Sequence, residues 1–198
     1  QRIAMGGGHG QSSVRSFDLH SDVSDIETIK MFLRLDCPSG GCDPWDRYAN
    51  IMVRDKTTNE WFEIGRHITP YGVDNSALSR GLEFDVTDFK NLLEGNVELR
   101  IFVETWVSSG WIVSLEFDFT PGTPDYKYYK VSRIIQYNGN SLGGVPYGGL
   151  NGNPEIDLEK FDLIKSLQIG SNIESAHLRT IITGWGHATP ADSDGRAC

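Results

Sequence analysis

The densest run of functional side-chain types in the chain is Cys42-Asp43-Pro44-Trp45-Asp46-Arg47-Tyr48-Ala49-Asn50. In an extended backbone Asp46, Tyr48 and Asn50 share one face, opposite Trp45, Arg47 and Ala49. A second cluster is Glu104-Thr105-Trp106. Glu104 and Trp106 are two apart, so on a strand they would project from one face at about 6.6 Å spacing. A carboxylate beside an indole suits a sugar: the ring covers the apolar C–H face of a pyranose while the carboxylate takes its hydroxyls. Trp185-Gly186-His187 repeats that logic with an imidazole. Together these clusters describe a cleft lined by Asp, Glu, His and Trp, with neither metal-ligand spacing nor a nucleophile elbow. No metal and no cofactor is expected. Each cluster also has a plainer reading. The first would be a strand-entry loop with an Arg–Asp pair on its surface, and a tryptophan on a strand is most often core.

Such groups need a rigid frame. Cys37 and Cys42 enclose Pro38, Ser39, Gly40 and Gly41, a turn-prone loop that can bring two Cα atoms within bridging distance. Metal binding through these thiols would need a second Cys or His pair at comparable spacing, and the sequence has none. A local disulfide is therefore expected immediately before Asp43, and with it an oxidising compartment, secreted or periplasmic. The chain opens on Gln1 without a charged-then-apolar leader, so any export signal is expected to have been removed or to lie outside it. Cys198 has no partner in this sequence.

Period-two alternation dominates the rest. Val97, Leu99, Ile101, Val103 and Thr105 alternate with Glu98, Arg100, Phe102, Glu104 and Trp106, and Trp111, Val113, Leu115, Phe117 and Phe119 with Ile112, Ser114, Glu116 and Asp118. With Ser108, Ser109 and Gly110 between them, these two runs read as a hairpin. Further strands are expected over residues 29–35, 48–54, 61–67, 131–137 and 177–185, and Thr87 is placed to cap a short helix over 88–93. Many short strands separated by Gly, Pro, Asn and Asp argue for an all-β sandwich or jelly roll. Residues 1–14, with Gly6, Gly7, Gly8 and His9, read as a flexible arm, since a phosphate loop would require Lys-Ser/Thr after its glycines. Residues 15–121 can form a first sandwich, the two prolines near 122–128 mark a linker, and 129–198 is short of the ~100 residues such a fold takes.

Composition narrows the partners. Lys and Arg number 18 against 27 Asp and Glu, a net charge of −9 without a basic block. That leaves no stripe to replace the counterions of nucleic acid or an anionic membrane. No apolar run reaches the ~20 residues of a membrane-spanning helix. Neither a nucleic-acid nor a membrane partner is expected.

Several longer runs together resemble the peptide-N-glycosidase F family. They are Cys37-Pro38 through Cys42, Trp45-Asp46-Arg47-Tyr48-Ala49-Asn50, Ile68-Thr69-Pro70-Tyr71, Arg80-Gly81-Leu82-Glu83, Asp85-Val86-Thr87-Asp88-Phe89-Lys90 and Glu104-Thr105-Trp106. They continue through Gly122-Thr123-Pro124-Asp125-Tyr126-Lys127-Tyr128, Gly144-Val145-Pro146-Tyr147-Gly148, Leu178-Arg179-Thr180 and Gly184-Trp185-Gly186-His187-Ala188. The resemblance implies two antiparallel eight-stranded jelly-roll sandwiches packed side by side, the second incomplete in this chain. It implies an amidohydrolase that removes N-linked glycans by cleaving the asparagine–GlcNAc side-chain amide, giving aspartate and a glycosylamine. By the same resemblance Asp46 is the principal catalytic residue and Glu104 supports it. Arg47, Trp106, Trp185 and His187 bind the chitobiose core, with further sugar contacts from Ser141 and Leu142.

Two departures from the family pattern stand out. The segment that follows the cysteine matching Cys198, with another active-site Glu, a Trp and that cysteine's disulfide partner, is not in this sequence. A second polypeptide is therefore expected to supply the remainder of the second domain. Gly72 follows Tyr71 where a bulky aromatic is expected, and the loop over 148–156 is altered, which bears on substrate preference. Two other functions would use some of the same residues: a non-catalytic N-glycan-binding jelly roll, or a glycoside hydrolase using the two carboxylates across the chitobiose bond.

Overall fold

The computed structural model describes residues 2–134, 141–142, 145–146 and 166–181. The chain divides into two compact units, Gln1–Val131 and Ser132–Cys198. The first is built from β1 (Arg2–Met5), β2 (Ser12–Asp18), β3 (Ile26–Asp36), β4 (Tyr48–Arg54), β5 (Trp61–Ile68), β6 (Leu82–Asp85), β7 (Asn96–Val103) and β8 (Trp111–Pro121). These form two four-stranded antiparallel sheets, ordered β1-β8-β3-β6 and β2-β7-β4-β5. That order, with nested pairs β1–β8, β2–β7, β3–β6 and β4–β5 split between two sheets, is the eight-stranded jelly roll that the resemblance implies.

The alternation of the sequence becomes the core directly. Val97, Leu99, Ile101 and Val103 of β7 face Trp111, Val113 and Leu115 of β8 and Ile29, Met31, Leu33 and Leu35 of β3 within one buried cluster. β4 is buried on both faces over Tyr48–Val53, unlike its neighbours. Its outer residues Tyr48 and Met52 lie under long side chains from adjacent strands: Arg66 over the Tyr48 ring at 5.3 Å and Arg100 Nη2 at 2.6 Å from Met52 Sδ. Alkyl stems of arginine can roof an apolar strip while their charged ends stay wet. This cover fixes β4, the strand that leads directly out of the Asp46 loop.

Three local expectations are corrected. The runs read as a hairpin, β7 and β8, lie in different sheets, so residues 104–110 cross the sandwich instead of turning tightly. The loop is held by other partners: Gly7 N–H donates to Val107 O at 3.0 Å, and Gly110 bridges to Cys42. Period-two alternation identifies strands but says nothing about which strand each one pairs with. The start of the expected arm is β1, in register with β8 through Met5↔Trp111, with Ile3 and Met5 buried. Its glycines serve close approach: a Cβ on Gly6, at φ +87, would stand 2.9 Å from Ser109 O. Thr87 begins the 3-10 helix Thr87–Leu92 without capping it. Its hydroxyl instead accepts from Ile29 N–H at 3.0 Å, tying the helix to β3.

In the second unit, β9 (Ser141–Leu142) pairs antiparallel with β10 (Val145–Pro146). Residues 131–134 and 177–181 carry no strand, and the remaining parts of the strands expected there lie outside the described residues. Trp185, His187 and Cys198 also lie outside them.

Candidate active site

The site in the first unit is assembled at one end of sheet β2-β7-β4-β5, from the loop entering β4, the loop leaving β5 and the turn leaving β7. Cys37 and Cys42 form the expected disulfide, their Cα atoms 4.4 Å apart, and Gly41 N–H donates to Pro38 O at 2.9 Å across its turn. Asp43 follows immediately and is fully buried. Burial alone would push its carboxyl up. Hydrogen bonds from Arg47, Thr105 and the Trp45 backbone outweigh that and hold it below the usual range.

Arg47 makes the geometry. Its Nε donates to Asp43 Oδ2 at 2.7 Å and its Nη2 to Asp43 Oδ1 at 3.2 Å, a fork-to-carboxylate pair sealed from water. Its flat face lies 3.9 Å from the Trp106 ring centroid. The Arg47 backbone is clamped to the loop after β5, N–H to Thr69 Oγ1 at 2.8 Å and carbonyl from Thr69 N–H at 2.9 Å. The Arg–Asp pair of this loop is therefore a buried one, and its acid is Asp43, not the neighbouring Asp46.

Asp46 is half-buried, and its carboxylate beside the Tyr71 hydroxyl raises the pKa of that phenol. Tyr71 itself is exposed, as are Trp45 and Trp106. Three aromatic rings thus open to solvent beside one carboxylate. Gly72, next to Tyr71, adopts φ +64 and donates its N–H to Asp43 O at 3.0 Å, so the departure from a bulky residue there accompanies a left-handed turn that glycine takes without strain.

Glu104 and Trp106 lie beyond the end of β7, which stops at Val103, so strand spacing does not set their directions. Glu104 N–H donates to Tyr48 O at 2.9 Å. Its Oε2 is buried and has no hydrogen-bond partner among the described residues. Burial raises its pKa, an effect that the positive charge of Arg47 opposes. A carboxyl held toward its neutral form can donate a hydrogen bond or a proton, while an unpartnered buried oxygen is a place for a water or substrate group. Trp106, at 62% exposure, offers a face for a sugar ring.

Of the residues singled out from sequence, Asp46, Arg47, Glu104 and Trp106 come together in this one region. For Ser141 and Leu142 the structure gives the backbone ladder of β9 alone. Asp43, Thr105, Thr69 and Tyr71 were not singled out. Asp43 and Arg47 at four-residue spacing were the available signal for the first. The others approach from 22 or more residues away, which no local pattern records. Among the described residues no group of three His, Cys, Asp or Glu side chains is arranged to hold a metal ion.

Residues 49–119 match the family described as peptide-N-glycosidase F, N terminal. The peptide-N(4)-(N-acetyl-beta-D-glucosaminyl)asparagine amidase F of Elizabethkingia miricola is 51% identical over 195 residues, which is 98% of this chain and 53% of the relative. The solved structure of PNGase F from Flavobacterium meningosepticum, described as a glycosylasparaginase, superposes with a TM-score of 0.79 at 48% identity, covering 100% of this chain and 61% of that one. A crystal structure of a peptide-N(4)-(N-acetyl-beta-D-glucosaminyl) asparagine amidase gives 0.67 at 55% identity over 75% of this chain and 48% of the other. The chain thus spans about half the length of the curated relative it matches. The relatives carry their further length within the same chain as the matched part, which gives no support to the expected second polypeptide. Over its matched residues and by these relatives, the chain is similar to peptide-N-glycosidase F.

Proposed function

We propose that the chain is part of an amidohydrolase acting on N-glycosylated peptides and proteins, cleaving the amide between asparagine and the first N-acetylglucosamine. The observation that supports this most is the pair of unlike carboxyls beside one sugar-sized aromatic face. Asp46 lies beside the Tyr71 hydroxyl, and Glu104 is pushed toward its neutral form by burial, with Trp106 stacked on Arg47 between their segments. Amide hydrolysis asks for such a pair. In this reading Asp46 orients and deprotonates a water, whose oxygen adds to the side-chain carbonyl carbon. Glu104 holds that water and the first sugar. The C–N bond then breaks, the nitrogen takes up a proton and leaves with the sugar as a glycosylamine, and asparagine becomes aspartate.

Arg47 and Trp106 hold the chitobiose core, and Trp185, His187, Ser141 and Leu142 are the further sugar-binding residues of this reading. The Cys37–Cys42 bridge supports an oxidising, extracellular or periplasmic setting. Mass spectrometry of an N-glycopeptide incubated with the protein is the decisive test. Amidase action adds about one dalton to the peptide as Asn becomes Asp. One GlcNAc left on asparagine would instead assign a glycoside hydrolase, and an unchanged but bound glycopeptide a lectin.

A further inference from the structure

We infer that Asp43, supported by Thr105, is the positioning residue of the glycan site: it acts through Arg47 to hold the Trp106 ring in its sugar-binding orientation. This rests on the reading of Trp106 and Arg47 as sugar-binding groups. Asp43 contacts every segment that builds the site. Its side chain accepts from Arg47 Nε and Nη2, from Thr105 Oγ1 at 2.6 Å and from Trp45 N–H at 3.0 Å. Its backbone N–H donates to Gly110 O at 3.2 Å, and its carbonyl accepts from Gly72 N–H at 3.0 Å.

The disulfide precedes it by one residue and fixes where its backbone begins. Both side-chain oxygens are thereby used, leaving Asp43 no group to offer a substrate. A carboxylate so fully paired and sealed at 0% exposure cannot act as acid or base, and it does not reach solvent. What it can do is fix direction. A guanidinium bound along one edge by two nearly parallel hydrogen bonds has its plane determined, and an aromatic ring stacked on that plane inherits the orientation. Thr105 adds a second tie, because it neighbours Trp106 in sequence and bonds the same Asp43 oxygen as Arg47 Nε. Trp106 is thus tied to Asp43 from two sides, once through stacking and once through its own backbone.

The test uses the intact chain and its tryptophan indole N–H signals by NMR, the Trp106 signal being the one lost in Trp106→Phe. In Asp43→Asn that signal moves toward its position in Arg47→Ala, and affinity for N,N′-diacetylchitobiose falls about tenfold, as loss of a charge-assisted bond predicts. The double variant Asp43→Asn with Arg47→Ala loses less affinity than the sum of the two single losses, because both act on Trp106 through one arginine. A Trp106 signal unmoved in Asp43→Asn, or fully additive losses, would overturn the inference. If Asp43→Asn does not fold, Thr105→Val is read in the same two ways, and wild-type values there overturn it equally. If the Trp106 signal moves in Asp43→Asn as stated but the wild-type chain takes up no chitobiose, the positioning role is supported and the glycan reading is overturned.

Discussion

Arg47 lies flat against Trp106, its guanidinium carbon 3.9 Å from the ring centroid, although one residue belongs to the loop entering β4 and the other to the turn leaving β7. The edge of the same guanidinium is bound to buried Asp43. One arginine therefore uses its edge for anchorage and its face for display, a division lysine cannot reproduce because an ammonium has neither a plane nor a fork. The arrangement leaves Trp106 mostly open to solvent while fixing where it points.

Asp46 is the carboxylate assigned to water activation. Asp46→Asn, which keeps shape and most hydrogen bonding, is expected to lower deglycosylation of an N-glycopeptide at least about 100-fold. Peptide mass read over time measures it, and turnover near the wild-type rate would remove Asp46 from the chemistry.

Glu104 carries a pKa raised by burial. The folded state therefore holds this proton to higher pH than the unfolded chain, whose carboxyl titrates near 4.5. Between the unfolded and the folded pKa the folded state binds more protons, so stability falls as pH rises through that window. Glu104→Gln cannot ionise and is expected to abolish this decline. Urea midpoints from pH 4 upward, compared with wild type, report it, and identical slopes would contradict it.

His67 is expected to make the fold acid-sensitive from the opposite direction. It sits on β5 opposite Ala49, 5% exposed, with neither ring nitrogen hydrogen-bonded among the described residues, and burial lowers its pKa from 6.5 to about 4. The unfolded chain takes up the proton first, so the stability present above pH 6.5 drains away as pH falls toward 4. The full loss is on the order of 3 kcal/mol. His67→Leu should flatten the denaturation profile across that interval, and a profile no flatter than wild type would refute the assignment.

The disulfide closes a loop of sequence separation 5, and chain-entropy arguments give such a loop about 2 kcal/mol. Cys37→Ser with Cys42→Ser should lower chemical stability by about that amount. Because Cys42 adjoins Asp43, chitobiose affinity should weaken as well. An affinity equal to wild type would show that Asp43 keeps its place without the bridge.

Reading the chain in order already located much of this. The strand runs of β7 and β8 are legible because alternate side chains on a pleated strand face one core, so burial leaves a period of two in the residues. The Cys37–Cys42 bridge was legible because its geometry is local. Asp46, Arg47, Glu104 and Trp106 stood out because carboxylates, arginine and indole cluster in two short runs.

Partnership was not legible. β7 and β8 follow one another and alternate perfectly, yet they belong to different sheets, since alternation records a buried face and not the strand alongside. The plainer reading of this loop has an Arg–Asp pair on its surface; folding buries Arg47 with Asp43 and closes the pair with Thr105, 62 residues beyond Asp43. Sequence alone determined which groups were available and that a β sandwich would carry them. Only the tertiary structure decided that a dry carboxylate would aim the arginine and the arginine the tryptophan, because that order arises from burial shared between segments far apart along the chain.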